Sequence, residues 1–250
     1  MEIDGTKMVK EIVFAIPASA RVFEQLGIDY CCGGDKRLDE ACKAAGVQLT
    51  NLARSLEAAA HDAGAGEEST DWSEKSLAEL MNHIIEKHHN YCRQEVALIE
   101  PLLDKVAQVH GDIHSELRRI KSLFAGLSKE LLMHLVKEEQ TLFPYIVRME
   151  EAVTRRVPFP RPLFGTVQNP VQMMVLEHDS AGAALHEIHE LSHGYEMPPD
   201  GCGSYRTLYE ALRAFESDMH QHVHLENNVL FPRAVAMEEA TLSGQESVSN

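Results

Sequence analysis

"HLVKEEQTLFP" (134–144) and "HVHLENNVLFP" (222–232) are one phrase written twice, 88 residues apart. His134 aligns with His222, Glu138 with Glu226, and Leu142-Phe143-Pro144 with Leu230-Phe231-Pro232. His89 and His178 stand 89 residues apart, almost the same interval. The repeat reads as two copies of a helical hairpin, each supplying one lone histidine and one His-x-x-x-Glu pair. An i,i+4 pair advances about 400° around a helix, so its side chains share one face about 40° apart.

The surrounding sequence reads as helix from Ser76 onward. Ser76 and Glu79 form a capping box ahead of "LAELMNHIIEKHHNYCRQEVALIEPLL" (77–103). A second helix is expected over about 113–150. "RRVPFPRPLFGTVQNP" (155–170) carries four prolines and reads as a connection. A third helix is expected over about 171–192 and a fourth over about 205–239, separated by "GYEMPPDGCGS" (194–204). The fold expected is all-α: a small helical domain over 1–62, a polar linker over 63–75, an antiparallel four-helix bundle over 76–240 and a frayed tail over 241–250. In the small domain, "IPASARVFEQLG" (16–27), with Pro17 before it and Gly27 as its stop signal, "RLDEACKAAG" (37–46) and "LTNLARSLEAAA" (49–60) read as short helices.

Composition narrows the function. The net charge is −16, which repels nucleic acid and anionic lipid and suits a cation or a basic protein patch. No apolar run approaches the roughly 20 residues that span a bilayer. The N-terminal run "IVFAI" (12–16) is too short for a secretion signal. The five cysteines (31, 32, 42, 92, 202) are odd in number and irregularly spaced, which points to a reducing compartment. The expected location is cytoplasmic, and neither nucleic acid nor membrane is an expected partner. A homodimer is the assembly expected if the chain associates with itself.

The chemistry lies where ionisable residues interrupt apolar stripes. On the second helix the stripe runs Ile120, Phe124, Leu127, Leu131, His134, Glu138, Tyr145, Met149. On the fourth it runs Leu208, Leu212, Phe215, Met219, His222, Glu226, Val229, and on the third Val171, Met174, His178, Ala181, Leu185, Ile188. On the first helix a stripe through Met81, Ile85, His89, Cys92, Val96 competes with one through Ile84, His88, Tyr91, and periodicity leaves His88 and His89 both open. A buried carboxylate without a partner costs several kcal/mol. Two of them beside several imidazoles call for cations. Four histidines and two glutamates are too many for one tetrahedral zinc. They match two metal ions, each with two histidines and sharing two bridging carboxylates. Such donors suit iron, with manganese as the competitor.

From "GIDYCCGG" (27–34) to "HLENNVLFPRA" (224–234) the chain resembles the RIC family, di-iron proteins for repair of iron centres. These pair an N-terminal ScdA-type domain with a hemerythrin-like bundle. The resemblance implies the ligands His89, His134, Glu138, His178, His222 and Glu226, choosing His89 over His88. It implies a non-haem di-iron centre with an oxo or hydroxo bridge. It also implies a stress-response role in repairing iron–sulfur clusters damaged by nitrosative or oxidative stress, by supplying labile iron to iron–sulfur client proteins. The alternatives are an enzyme that binds and reduces nitric oxide at the centre, and a module that binds or senses oxygen. Oxygen-carrying hemerythrins place a further histidine one turn after the third-helix ligand. That position is Gly182 here, which counts against simple oxygen carriage.

Cys31 and Cys32 stand adjacent, with Cα atoms about 3.8 Å apart, too close for a relaxed disulfide. Gly33 and Gly34 are expected to permit positive φ in a tight turn. With the resemblance, the two thiols are candidates for redox or transfer chemistry with iron, electrons or nitric oxide. Glu130 and Glu177 are candidates to line a path to the metals. His186, His189, His193, His220 and His224 are expected at the surface, and Cys42, Cys92 and Cys202 as ordinary thiols.

Overall fold

The computed structural model describes residues 4–16, 18–31, 33–62, 72, 74–157, 159 and 162–248. Pro17, Cys32, most of the expected linker and residues 249–250 lie outside them. The chain divides into two compact units. One comprises the described residues up to Lys75 together with His220–Leu230; the other comprises Ser76–Met219 and the residues from Phe231 onward. Among the described residues regular structure is helical, with one isolated β-bridge between Met8 and Arg37. No helix among them is long and apolar enough to cross a membrane.

In the first unit, α1 (Val9–Ala15), α2 (Ser19–Gln25), α3 (Leu38–Ala44) and α4 (Leu49–Asp62) surround a core of Ile12, Val13, Phe23, Ile28, Leu38, Leu52 and Leu56. The sequence reading did not mark α1 as a helix. It is only seven residues long and is held by its N-cap, where the Met8 amide donates to Glu11 Oε2 at 2.9 Å. Gly27 and Gly46 end α2 and α3 in the left-handed region, at φ 66° and 68°. Beyond each, the next amide reaches back into the helix: Ile28 N to Phe23 O at 2.8 Å, and Val47 N to Cys42 O at 2.9 Å.

Gly33 and Gly34 serve a purpose other than the one expected. Neither takes a positive φ. What they provide is space. A Cβ on Gly33 would lie 2.9 Å from Asp29 Oδ2, and one on Gly34 would lie 3.0 Å from Tyr30 O and 3.1 Å from Lys10 Cβ. Stripped of side chains, this turn lets the Lys10 amide donate to Gly34 O at 3.0 Å.

Four long helices follow α4. The first covers 77–110. Its start has the expected box, with Ser76 Oγ accepting from the Glu79 amide at 3.1 Å. Glu150 of the second helix adds a second cap, accepting from Leu77 N at 2.7 Å and Ala78 N at 3.0 Å. The second helix covers 116–155 and stops at Arg156, left-handed at φ 55°. The third, Gln168–Leu191, begins before the expected 171. Pro170 falls in its first turn, where a missing N–H costs nothing. Its opening amide, Val167 N, donates to both oxygens of buried Glu238 at 3.0 and 2.9 Å, and the Tyr145 hydroxyl donates to the same carboxylate. The fourth covers 203–248, running helical through most of the expected tail.

Three of the four are interrupted. π-helical turns occupy Ile84–His89, Glu138–Leu142 and Leu225–Leu230. Each widened turn takes about one extra residue, which rotates everything beyond it by roughly 100°. This is why periodicity could not choose between His88 and His89: within the widened turn both are buried.

Candidate metal centre

The interrupted stripes face inward. Ile120, Phe124, Leu127, Leu131, Tyr145 and Met149 are buried, and so are His134 and Glu138 among them. Leu208, Leu212, Phe215, Met219 and Val229 are likewise buried with His222 and Glu226, and Val171, Met174, Leu185 and Ile188 with His178. Both Glu138 and Glu226 have 0% exposure. The π turns hold three of these six residues: His89 closes the first, Glu138 opens the second, and Glu226 lies in the third.

Glu138 divides its two oxygens between two imidazoles. Its Oε2 lies 3.4 Å from His89 Nε2, and its Oε1 lies 3.4 Å from His134 Nε2. His178 Nε2 is 3.1 Å from His134 Nε2, so these two rings aim at one point. On the fourth helix, His222 Nε2 lies 3.0 Å from Glu226 Oε1. The ligand atoms of His89, Glu138, His222 and Glu226 all lie within 4.8 Å of one another, and so do those of His134, Glu138, His178 and Glu226. The two groups share both carboxylates and no histidine. Imidazole nitrogens and carboxylate oxygens are donors for iron, manganese or zinc, and the shared carboxylates fit a pair of ions better than one.

Two family models match the chain: the hemerythrin HHE cation binding domain over residues 80–234, and a domain of unknown function, DUF542 or ScdA_N, over residues 5–60. A probable iron–sulfur cluster repair protein of Haemophilus influenzae is 31% identical over 227 residues, covering 91% of this chain and 96% of that protein. The iron–sulfur cluster repair protein YtfE of Pectobacterium carotovorum is 32% identical, covering 90% of this chain and 95% of its own. That of Yersinia pseudotuberculosis is 31% identical over 90% and 94%. The chain belongs to the RIC family. The first of its two matched segments contains both four-residue groups; the second contains Cys31.

Other residues of this RIC chain fall differently from their sequence reading. His88 turns away from the two groups, with Nδ1 2.9 Å from Asp218 Oδ1. Glu130 is exposed, whereas Glu177 reaches His134 Nδ1 at 2.8 Å. His186, His189 and His193 are at the surface as expected, but His220 and His224 are half-buried. Both set their rings edge-on to Tyr30, and burial pushes the His224 imidazole down to about 4. Cys31 is buried, its thiol donating to Asp29 Oδ1 at 3.4 Å. Cys42 and Cys92 are buried as well. Cys202 is not an ordinary thiol: it is exposed 3.2 Å from His110 Nε2, whose hydrogen bond, with others from the Tyr205 and Ser204 amides, pulls it down to about 7.

Glu139 was missed altogether. Its Oε1 lies 2.7 Å from His89 Nδ1 and accepts from Arg93 at 2.8 Å. Burial pushes its carboxyl up, but the hydrogen bonds from Arg93 and His89 outweigh that and hold it below the usual range. Beside Glu138 it looks like one more acidic residue on a solvated face. The signal available was its place one step beyond the buried Glu138, toward the first helix.

Proposed function

We propose that His89, His134, Glu138, His178, His222 and Glu226 hold two iron ions, with Glu138 and Glu226 bridging, and that this chain repairs iron–sulfur clusters damaged by nitrosative or oxidative stress. The observation that carries the reading is the division of Glu138, one oxygen toward His89 and the other toward His134. The donor set fits: four imidazoles and two carboxylates, all buried. Iron held there supplies a labile ferrous ion and a centre open to a diatomic such as nitric oxide.

The chain's own residues set how iron is held. Each ion receives two imidazoles and a share of two carboxylates, four protein donors at most. The histidine that would add a fifth is absent, because Gly182 stands one turn after His178. Burial on apolar stripes keeps bulk water from competing for the donors and strengthens each charge–dipole interaction. A site both dry and under-coordinated suits release to a client better than permanent retention. Cys31 and Cys32 are the thiols proposed to receive or pass on iron, and the odd, unpatterned cysteines support a reducing, cytoplasmic setting.

The test uses the full-length protein loaded with iron, a dehydratase whose cluster has been damaged, and metal analysis with Mössbauer spectroscopy. Two iron atoms per chain are expected, with dehydratase activity returning as iron leaves the protein. The double variant Glu138→Gln with Glu226→Gln should bind less than a tenth of the iron and reactivate nothing. Full reactivation by protein that keeps all its iron would overturn iron supply. Catalytic formation of N₂O by the reduced protein would favour nitric oxide reduction instead.

A further inference from the structure

Two imidazoles of the centre are held from behind by the same device. His89 Nδ1 lies 2.7 Å from Glu139 Oε1, and Arg93, one turn on from His89, donates to that oxygen at 2.8 Å. His134 Nδ1 lies 2.8 Å from Glu177 Oε2, and Lys137, one turn on from His134, pairs with the other oxygen of Glu177. In each case the cation sits on the histidine's own helix and the carboxylate comes from the next helix: Glu139 from the second, Glu177 from the third. His89 belongs to one four-residue group and His134 to the other. Each group therefore has at least one histidine braced in this way.

A neutral imidazole carries a proton on one nitrogen and a lone pair on the other. A carboxylate on Nδ1 draws the proton there, leaves the lone pair on Nε2 and fixes the ring's direction. It also makes Nε2 the stronger donor. Both Nε2 atoms point toward Glu138. The cation keeps the carboxylate charged and in place, so the brace does not swing out to water although Glu139 and Glu177 are 26% and 28% exposed. We propose that Glu139 and Glu177 are positioning residues, one for each metal ion, that set separately how fast the two ions leave. This rests on the ligand set proposed above.

The experiment follows iron loss from the full-length, iron-loaded protein to a ferrous chelator. Glu139→Gln should release half of the iron ten- to a hundred-fold faster than wild type, with the other half near the wild-type rate. Glu177→Gln should give the same two phases, and the double variant one fast phase. Mössbauer spectra of each single variant should show one iron of the pair altered. Glu210→Gln, at an exposed carboxylate about three turns before His222, is the control and should change neither. Arg93→Met and Lys137→Met leave both carboxylates present and should accelerate one phase each by a smaller factor, which covers the case of a glutamate variant that does not fold. Wild-type release in all four brace variants would overturn the proposal, as would equal acceleration by Glu210→Gln. A wild-type protein that binds fewer than two irons would instead overturn the ligand set.

Discussion

Burial reverses the chemistry of residue types between one part of this chain and another. Glu138 is enclosed with an imidazole nitrogen 3.4 Å from each of its oxygens, while Cys202, a residue type that usually hides, faces solvent beside His110. A thiol pulled from about 9 down to about 7 is deprotonated through the neutral range, and only the thiolate attacks an alkylating reagent. Alkylation of Cys202, followed by peptide mapping, should rise through about pH 7 and level off above it. His110→Gln should move that midpoint up toward the ordinary thiol value, while Cys42, buried with its thiol pushed up, stays unreacted. An unchanged midpoint would show that His110 does not control the thiol. Residues of these two kinds were not equally legible. His134, Glu138, His178, His222 and Glu226 announce themselves because each breaks an apolar stripe. Cys202 gives no such signal, since its partner lies 92 residues away and is met only in the fold. Glu139 was hidden by its neighbour.

At the level of helices the long periodic runs were readable and their internal faults were not. A π turn leaves no composition of its own; it shows as a slip of phase that a strict 3.6-residue pattern absorbs as ambiguity. The repeated Leu-Phe-Pro was the available clue. Pro144 and Pro232 each stand second in the α-helix that follows a π turn. A proline ring conflicts with the carbonyl four residues earlier, and here that carbonyl belongs to the widened turn. The short α1 was missed for the opposite reason: seven residues are too few to show a period. Caps were better signalled within one helix than between helices. Ser76 and Glu79 were visible as a pair, whereas Glu150 reaches the same helix start from 73 residues away. Glu150→Ala removes two half-buried hydrogen bonds to amides that have no helical partner. It should cost about 1–2 kcal/mol, read as a lower urea midpoint with an unchanged slope. A midpoint within error of wild type would mean that the Ser76 box alone secures that end.

Over the whole molecule, charge and connectivity carry the argument. A net charge of −16 surrounds the chain with a field that attracts cations. The Debye length shrinks from about 30 Å at 0.01 M salt to about 8 Å at 0.15 M. Ferrous ion uptake by the iron-free protein, followed by stopped flow, should therefore slow several-fold across that range. A rate independent of salt would show that the approach is not steered. Connectivity could be read only in part. The composition shift at 61–75 offers a boundary between a small helical domain and a bundle, but nothing in the sequence groups His220–Leu230 with the first unit. There Asn228 donates to the carbonyl of Tyr30 at 3.3 Å across 198 residues, and His220 and His224 lie against the Tyr30 ring. The ribosome makes these partners far apart in time. At about 5–20 residues per second, Tyr30 is added to the chain on the order of ten to forty seconds before Asn228 is. For that interval a growing chain lacks the His220, His224 and Asn228 side of the Tyr30 contact, and a message truncated before codon 220 never supplies it.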